Sequence, residues 1–321
     1  MHINSFLVVV WFSALVTVAH AQKLILTNDD GWATAQIRDQ YASLQAAKYD
    51  VILSAPANDR SGTGSLTVPL AVPLLLASCE FNSCPLGSPG TGNNASDTRL
   101  NYFNSFPVDA ARYGIQTLAP KIWGKTHPNL LVSGPNVGDN AGLDVLVSGT
   151  VGAACEGENE DIPSVAFSGA TNAKVSYTAL ESDPDSAATL SSHVYSSLTT
   201  KFVQTLFSGA GSARLVPKGT IVNVNYPALN FTTNSTCSEP DDVKWVFSRL
   251  FDAGILDHDI DICGNGGKLP NGATVVETED GCFASVIVLN SLTKTQAGTD
   301  AQTAVYNNLK GLGWICWTGS N

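Results

Sequence analysis

The segments KLILTNDDG, residues 23–31, and DVILSAPANDRSG, residues 50–62, decide the fold of this chain. Each contains a short apolar run, Lys23 to Thr27 and Val51 to Ala55, and residues 33–48 between them are rich in Ala, Gln and Leu. This order predicts a β-α-β unit with parallel strands. Because parallel strands end at the same edge of a sheet, the polar segments after both runs are predicted to lie side by side, where open α/β sheets bind ligands.

The same alternation continues along the chain. The predicted strands are 130–133, 164–168, 220–225 and 285–289, and the predicted helices are 107–118, 184–206 and 299–309. The Gly- and Asn-rich residues 82–98 are predicted to be a surface excursion. We therefore expect an α/β fold of the Rossmann-like, three-layer α/β/α type, with a mostly parallel sheet and a C-terminal extension.

The N-terminus has the pattern of a secretory signal peptide. The apolar run Phe6 to Val18 is too short to span a bilayer, and it ends in Ala19-His20-Ala21, which puts small residues where a signal peptidase reads. We expect residues 1–21 to be removed and the mature chain to begin at Gln22. No later stretch is long and apolar enough to span a membrane, so the mature protein is expected to be soluble.

Seven cysteines in an exported chain predict disulfide bonds formed in an oxidising compartment. Cys79 and Cys84 are close enough to close a small loop, and Cys155 is our candidate for a buried, unpaired thiol because it lies in an apolar stretch. The other four, Cys237, Cys263, Cys282 and Cys316, can pair in three ways. They make residues 230–321 a disulfide-bearing extension of the core, residues 22–229. This extension is either part of the same domain or a small lobe, and it is the region through which we expect a homodimer.

Three Asn-x-Ser/Thr sequons lie in polar stretches that predict exposed loops, at Asn94, Asn230 and Asn234. They agree with the leader and the cysteines. Together the three features predict a secreted glycoprotein.

The charge of the chain restricts its partners. A formal net charge of -11 argues against a nucleic-acid polymer as a surface partner, because such binding needs clustered Lys and Arg. A small phosphate ligand remains allowed. It would need a local positive centre, such as a metal ion or a helix N-terminus.

The adjacent carboxylates Asp29 and Asp30 suggest such a centre. Like charges so close repel each other unless a cation or a proton intervenes. Hard oxygen ligands favour magnesium or manganese, with calcium also possible, over zinc. The alternative interpretation is that Asn28 to Gly31 is only a turn and a helix cap, and these residues alone leave both interpretations open.

Two later loops are predicted to reach the same edge of the sheet. Gly134 to Asn140 follows a predicted strand, and Ser148-Gly149-Thr150 precedes a helix of small residues. Ser or Thr is a natural N-cap, and the free N–H groups of such a helix end bind anions.

Four blocks in this order resemble the signatures of SurE-like phosphatases and nucleotidases. They are LILTNDDG at 24–31, AP followed by DRSG within 55–62, SGPNVGDN at 133–140 and SGTVGAA at 148–154. The resemblance covers most of residues 23–230. It implies a metal-dependent phosphatase that hydrolyses phosphomonoesters, such as nucleoside 5′- or 3′-monophosphates, by metal-assisted attack of water.

The resemblance also implies roles for individual residues. The implied metal ligands are Asp29, Asp30, Ser61 and Asn136, and the implied phosphate contacts are Ser148, Gly149 and Thr150, with Asn140 of second rank. The two aspartates are the catalytic candidates. We assign the water's proton to Asp30, although spacing does not decide between them. One departure is Ala57, because the family often has Asp directly after the Pro of the second loop.

Two other functions compete with this interpretation. The same groups would also suit a non-catalytic module that binds metal and phosphate. A secreted serine esterase is the other alternative, but the chain has no G-x-S-x-G, and the mature histidines are only His127, His193 and His258.

Two further motifs carry less weight. Asp257-His258-Asp259 is interpreted as a second metal site or as a solvated acidic loop. Gly124-Lys125-Thr126 resembles the end of a P-loop, but Ala119 stands where that motif requires Gly, which argues against an ATPase.

Overall fold

The computed structural model describes residues 21–68, 73–170, 173–233, 235–279 and 281–319 of the 321-residue chain. Its strands are β1 (Lys23–Thr27), β2 (Asp50–Pro56), β3 (Thr91–Asn93), β4 (Leu100–Phe103), β5 (Leu130–Val137), β6 (Ser164–Gly169), β7 (Thr220–Tyr226), β8 (Lys244–Phe247) and β9 (Phe283–Asn290). Its helices are α1 (Ala35–Ala46), α2 (Pro107–Tyr113), α3 (Ala119–Trp123), α4 (Asp144–Val147), α5 (Gly149–Asn159), α6 (Ala179–Ser182), α7 (Ala187–Ala210), α8 (Gly272–Val276) and α9 (Thr299–Asn308).

The strands form one sheet in the order β3-β4-β2-β1-β5-β6-β7-β9-β8. The six strands from β4 to β7 in this order are parallel, whereas β3 and β9 are antiparallel to β4 and β7. After β1 the chain extends the sheet to one side through β2 and β4, and it then returns to build the other side from β5 onward. The boundary between β1 and β5 is therefore the topological switch point, outside which ligands bind in such sheets.

Helices cover both faces of the sheet. On one face α1 packs against α7, and Ile37 and Phe202 lie in one apolar cluster with Val132. On the other face α2 packs against α5, and Ala153 lies in a second cluster with Leu131. Leu131 and Val132 are neighbours in β5 and face opposite layers, as alternation along a strand requires. The predicted three-layer α/β/α fold is confirmed.

The predicted elements differ from the observed ones in several places. The strand predicted at 130–133 continues to Val137, after a register shift against β6 between Ser133 and Asn136. The helix predicted at 107–118 ends as α2 at Tyr113 and continues as a π-helical turn. Residues 82–98, predicted to be a surface excursion, contain the edge strand β3.

The C-terminal extension contributes β8 and β9 to the same sheet, and β8 was not predicted. The disulfides are Cys79–Cys84, Cys237–Cys282 and Cys263–Cys316, so the structure adopts one of the three pairings that the sequence left open. Cys155 is free and buried in α5, as predicted. Among the helices of the described residues, none combines the length and the apolar character needed to cross a bilayer.

Candidate active site

The turn after β1 lies at the switch point of the sheet and is held rigidly. Asn28 closes it, because its Nδ2 donates to Gly31 O at 3.0 Å and its Oδ1 accepts from Gly31 N at 3.3 Å. Gly31 has a φ of 105°, a conformation that side-chain-bearing residues rarely adopt. The turn buries both carboxylates, since Asp29 is 2% exposed and Asp30 is 0% exposed.

The N-terminus of α5 lies directly against Asp29. The Thr150 hydroxyl donates to Asp29 Oδ1 at 2.5 Å. A Cβ atom at Gly149 would lie 2.8 Å from Asp29 Cβ, so only glycine allows this close approach. Ser148 caps the helix, because its Oγ accepts from Val151 N at 3.0 Å. The structure thus joins Asp29 to the predicted phosphate loop, and the Thr150 hydroxyl is engaged by the aspartate.

Asp30 faces the end of β5. Its Oδ2 accepts from Val137 N at 2.8 Å, next to Asn136 in the chain. Asn136 is 8% exposed, and its Nδ2 donates to Gly138 O at 2.7 Å, which leaves its carbonyl oxygen for a cation. Lys174 Nζ lies 2.7 Å from Asp30 Oδ1.

The second loop is tied to this turn at two points. Arg60 N donates to Asp29 O at 2.7 Å. Ser61 is exposed, and its Oγ donates to Asp59 Oδ1 at 2.7 Å, while Asp59 Oδ2 lies 2.7 Å from Lys174 Nζ. Asp59 therefore links a predicted metal ligand to Lys174. Asp59 lies two residues after Ala57, and Ala57 is the position at which SurE-like proteins often have an aspartate.

Asn140 is fixed by strands β6 and β7. Its Nδ2 donates to Ser168 Oγ at 2.6 Å, and its backbone N–H donates to Asn225 Oδ1 at 2.7 Å. Asn223 Nδ2 donates to the backbone carbonyl oxygen of Asn140 at 2.9 Å. Asn140 is thus held at the same edge of the sheet, with its amide nitrogen already paired.

Burial dominates the electrostatics of this edge. Burial raises the pKa of Asp29, and the hydrogen bonds from Thr150 oppose the rise. Burial and the charge of Asp29 raise the pKa of Asp30 to about 7, although Lys174 lowers it. For Lys174, burial lowers the pKa, but Asp30 and Asp59 more than offset this, so its pKa is raised.

A further carboxylate, Glu80, approaches the turn from the Cys79–Cys84 loop. Its Oε2 is buried without a hydrogen-bond partner and would lie 2.2 Å from a Cβ atom at Gly31. Burial raises the pKa of Glu80 to about 7, Lys174 lowers it and Asp59 raises it. Sequence reasoning missed both Glu80 and Lys174. A signal existed for Lys174, because it follows a predicted strand at the carboxyl edge.

The donor set fits a hard divalent cation. Asp29 and Asp30 offer two carboxylates, while Ser61 and Asn136 offer neutral oxygens, and oxygen ligands suit magnesium, manganese or calcium. In the described parts of the chain, no three His, Cys, Asp or Glu side chains are grouped to hold a metal. A site rich in His or Cys, as zinc prefers, is therefore not formed by these residues.

The other predicted sites lie away from this edge. Asp257 and Asp259 both pair with Arg249, at 2.8 and 3.0 Å, so the acidic stretch is an ion-pair cluster and Asp259 is buried rather than solvated.

Two of the three sequons lie within the described residues. Asn94 is half-buried, Asn230 is exposed, and their Oδ1 atoms accept from the hydroxyls of Ser96 and Thr232 at 2.7 and 2.8 Å. Asn234 and the predicted signal peptide up to residue 20 lie outside the described residues. Glycosylation and cleavage stay predictions.

Comparisons with known proteins agree with the resemblance read from the blocks. The model of the family described as "Survival protein SurE" matches residues 24–246. An acid phosphatase from Yarrowia lipolytica is 32% identical over 287 residues, covering 84% of this chain and 79% of that protein. A 5′-nucleotidase SurE from Lawsonia intracellularis is 32% identical over 209 residues, covering 64% of this chain and 66% of that protein.

The fold has a counterpart among solved structures. The crystal structure of a SurE protein from Aquifex aeolicus matches with a TM-score of 0.54 and 21% identity, over 84% of this chain and 94% of that one. This likeness concerns the fold alone. The family match over residues 24–246 and the identity with the Yarrowia lipolytica protein show that this chain belongs to the SurE family.

Proposed function

We propose that this member of the SurE family, a phosphomonoester hydrolase, acts outside the cytosol and uses a divalent metal ion to hydrolyse small phosphomonoesters such as nucleoside 5′- or 3′-monophosphates. The observation that carries the proposal is the meeting of Asp29, Asp30 and the N-terminus of α5 at the switch point. The names of its relatives, acid phosphatase and 5′-nucleotidase, support the substrate class.

Asp29, Asp30, Ser61 and Asn136 would hold the ion, with magnesium or manganese preferred and calcium possible. When bound there, the ion supplies Lewis-acid polarisation of a phosphoryl oxygen and a charge that orients water. The chain's own groups then act on the reacting atoms. Water forms the new bond to phosphorus, the ester P–O bond breaks, and Asp30 accepts the water's proton and returns it to the leaving alkoxide.

The N-terminus of α5 would hold the phosphate. α5 has 11 residues, and the dipole of such a helix favours an anion at this end. Its Ser148, Gly149 and Thr150 are the proposed contacts, with Asn140 beside them. Because Thr150 also donates to Asp29, one residue would couple the phosphate position to a proposed metal ligand.

The compartment is part of the proposal. Three disulfides support an oxidising environment, and the exposed sequon at Asn230 supports glycosylation. Intact-mass analysis of the natural protein tests this: we expect a chain beginning at or near Gln22, glycan on at least one sequon and a single free thiol. A retained Met1 with seven free thiols would place the protein in the cytosol. A homodimer through the extension stays a prediction.

Phosphate release from a panel of monoesters, measured with and without chelator, tests the reaction. We expect activity to be lost with chelator and recovered with Mg²⁺ or Mn²⁺. Unchanged turnover after rigorous demetallation would contradict the metal mechanism. Binding of nucleotide without any phosphate release would favour the non-catalytic module, and chelator-insensitive cleavage of carboxylic esters would favour a serine esterase.

A further inference from the structure

Lys174 adds a cation to the site that the predicted metal and phosphate contacts do not include. We propose that the Lys174 ammonium binds the phosphate group of the substrate, beside the metal ion held by Asp29 and Asp30. This inference rests on the proposed function. Lys174 would give the site a positive charge for the phosphate group in addition to that of the metal ion.

The Lys174 ammonium lies between two carboxylates. Lys174 Nζ lies 2.7 Å from Asp30 Oδ1 and 2.7 Å from Asp59 Oδ2. An ammonium group has three N–H donors, so these two contacts leave one for a further oxygen. The side chain is 24% exposed, which keeps it open to a ligand from solvent.

The backbone on both sides of Lys174 is anchored to the start of α1. Gln36 Nε2 donates to Ala173 O at 3.1 Å, and Ala35 N donates to Val175 O at 2.9 Å. Because α1 begins just after the aspartate turn, Lys174 is fixed relative to Asp30. A lysine whose backbone is anchored and whose ammonium is already held by Asp30 and Asp59 loses less freedom when it binds a ligand than a free surface lysine would.

The site is rich in carboxylates, so binding an anionic phosphate group requires positive charge. The turn itself carries Asp29 and Asp30, and the carboxylates of Asp59 and Glu80 lie beside it. The whole chain has a formal net charge of -11. A divalent ion offsets only two of these four carboxylates, while a phosphomonoester brings up to two further negative charges. Lys174 is the residue whose ammonium contacts Asp30 directly, and lysine is a common point-charge ligand for phosphate.

The same position has opposite consequences for metal and phosphate. A positive charge next to Asp30 opposes a divalent cation, so removing it should strengthen metal binding. It attracts an anion, so removing it should weaken phosphate binding. A lysine that only supports the fold of the loop would, when replaced, weaken the binding of both.

Three variants test the proposal: Lys174→Met, Lys174→Arg and, as a matched control, Lys218→Met. Lys218 pairs with Asp161 at 3.0 Å and precedes β7, at the opposite end of the strands from the site. The measurements are Mn²⁺ binding by calorimetry, competitive inhibition by inorganic phosphate, and kcat and KM for a monoester.

For Lys174→Met we expect the inhibition constant of inorganic phosphate and KM to rise about tenfold or more, consistent with losing one charge-assisted hydrogen bond. The Mn²⁺ affinity should be unchanged or several-fold higher. Lys174→Arg should retain most of the phosphate affinity, and Lys218→Met should match the wild type. If Lys174→Met does not fold, Lys174→Gln, which can still donate to Asp59, is measured in its place.

Unchanged phosphate inhibition and KM in a folded Lys174→Met variant would overturn the proposal. Weaker binding of both Mn²⁺ and phosphate would also overturn it, since Lys174 would then only position Asp30. These outcomes differ from a failure of the proposed function, in which the wild-type protein releases no phosphate from any monoester at saturating Mn²⁺.

Discussion

The site edge and the C-terminal extension are held together in different ways. At the site edge, short connections follow β1 and β5, and backbone groups fix the polar side chains, as when Val137 N donates to Asp30 at 2.8 Å. In the extension, long connections are closed by Cys237–Cys282 and Cys263–Cys316. A buried ion pair, Arg249 with Asp259 at 3.0 Å, adds to them.

This difference predicts where each kind of substitution should act. The side chains of the site edge are placed by the sheet, so changing them should alter chemistry and leave the fold intact. The geometry of the extension depends on covalent links and a buried charge pair, so changing these should alter stability. Substitutions in the two regions test this contrast.

The aspartates test the contrast most strongly. Asp29→Asn or Asp30→Asn should lower turnover below detection and weaken Mn²⁺ binding by roughly tenfold or more, because each removes a charged proposed ligand. The melting temperature should not fall, since burial already favours the neutral form of both groups. Phosphatase kinetics and calorimetry measure these effects.

The control for the aspartates is Asp261→Asn, which removes an exposed carboxylate from the extension. It should retain wild-type activity. Wild-type activity in both Asp29→Asn and Asp30→Asn would show that Asn28 to Gly31 is only a turn.

The extension should respond in stability. Replacing Cys263 and Cys316 together by Ser opens a link across 53 residues and should lower the free energy of unfolding by about 2–4 kcal/mol. Denaturant unfolding measures this change. The kcat per folded molecule should stay within about twofold of the wild-type value, because no proposed site residue lies in the extension. Loss of kcat in the folded double variant would contradict the expectation that the extension affects stability and not chemistry.

The same contrast explains how much of the fold the sequence predicts. β1 was predicted with its bounds because an apolar run stands directly before polar residues. β8, with the sequence KWVF, was missed because it is short and lies among Cys, Gly and Asp residues. β4, with the sequence LNYF, was missed for the related reason that a polar residue interrupts its run. Short strands in loop-rich surroundings depend on their neighbours, which local patterns do not contain.

The candidate site shows the same limit. The family resemblance implied Asp29, Asp30 and Asn136 as ligands, and the strand pattern predicted that their loops meet at one edge. The structure brings the three residues to that edge. Their roles as ligands stay predictions. Lys174 was missed because the residues before it are small and polar, and its partner Asp59 is 115 residues away in the chain. A contact of such separation is set by the sheet topology, and the sequence signalled only that Lys174 follows a predicted strand.

A substitution at Thr150 tests a single hydrogen bond within the site edge. Thr150→Val removes the hydroxyl that donates to Asp29 and should slow turnover by an amount corresponding to about 1.5–3 kcal/mol. It should also weaken inhibition by phosphate, because Thr150 is a proposed phosphate contact. Mn²⁺ binding should weaken less than in Asp29→Asn, because the Asp29 carboxylate remains and only its hydrogen bond is lost. Thr150→Ser keeps the hydroxyl and serves as the matched control. Equal turnover in the Val and Ser variants would show that the hydroxyl bond to Asp29 is dispensable.

The smallest expected effect concerns the pH dependence of stability, which should have opposite signs in the two regions. In the extension, a hydrogen bond from Gly254 N and the contact with Arg249 lower the pKa of Asp257 below its usual value of 3.8. A group with a lowered pKa stabilises the fold above its unfolded pKa and loses this contribution as the pH falls. Asp257→Asn should therefore reduce the loss of stability on acidification.

Glu80 should behave in the opposite way. Its pKa is raised from 4.5 to about 7, so its contribution to stability is complete below pH 4.5 and is lost as the pH rises through about 7. Glu80→Gln mimics the protonated form and should match the wild type near pH 4.5. At pH 8 it should be more stable by on the order of 1–2 kcal/mol, because solvent screens part of the effect at this half-buried group. Urea unfolding of both proteins from pH 4.5 to 8 measures the difference, and a difference that does not change with pH would show that Glu80 titrates normally.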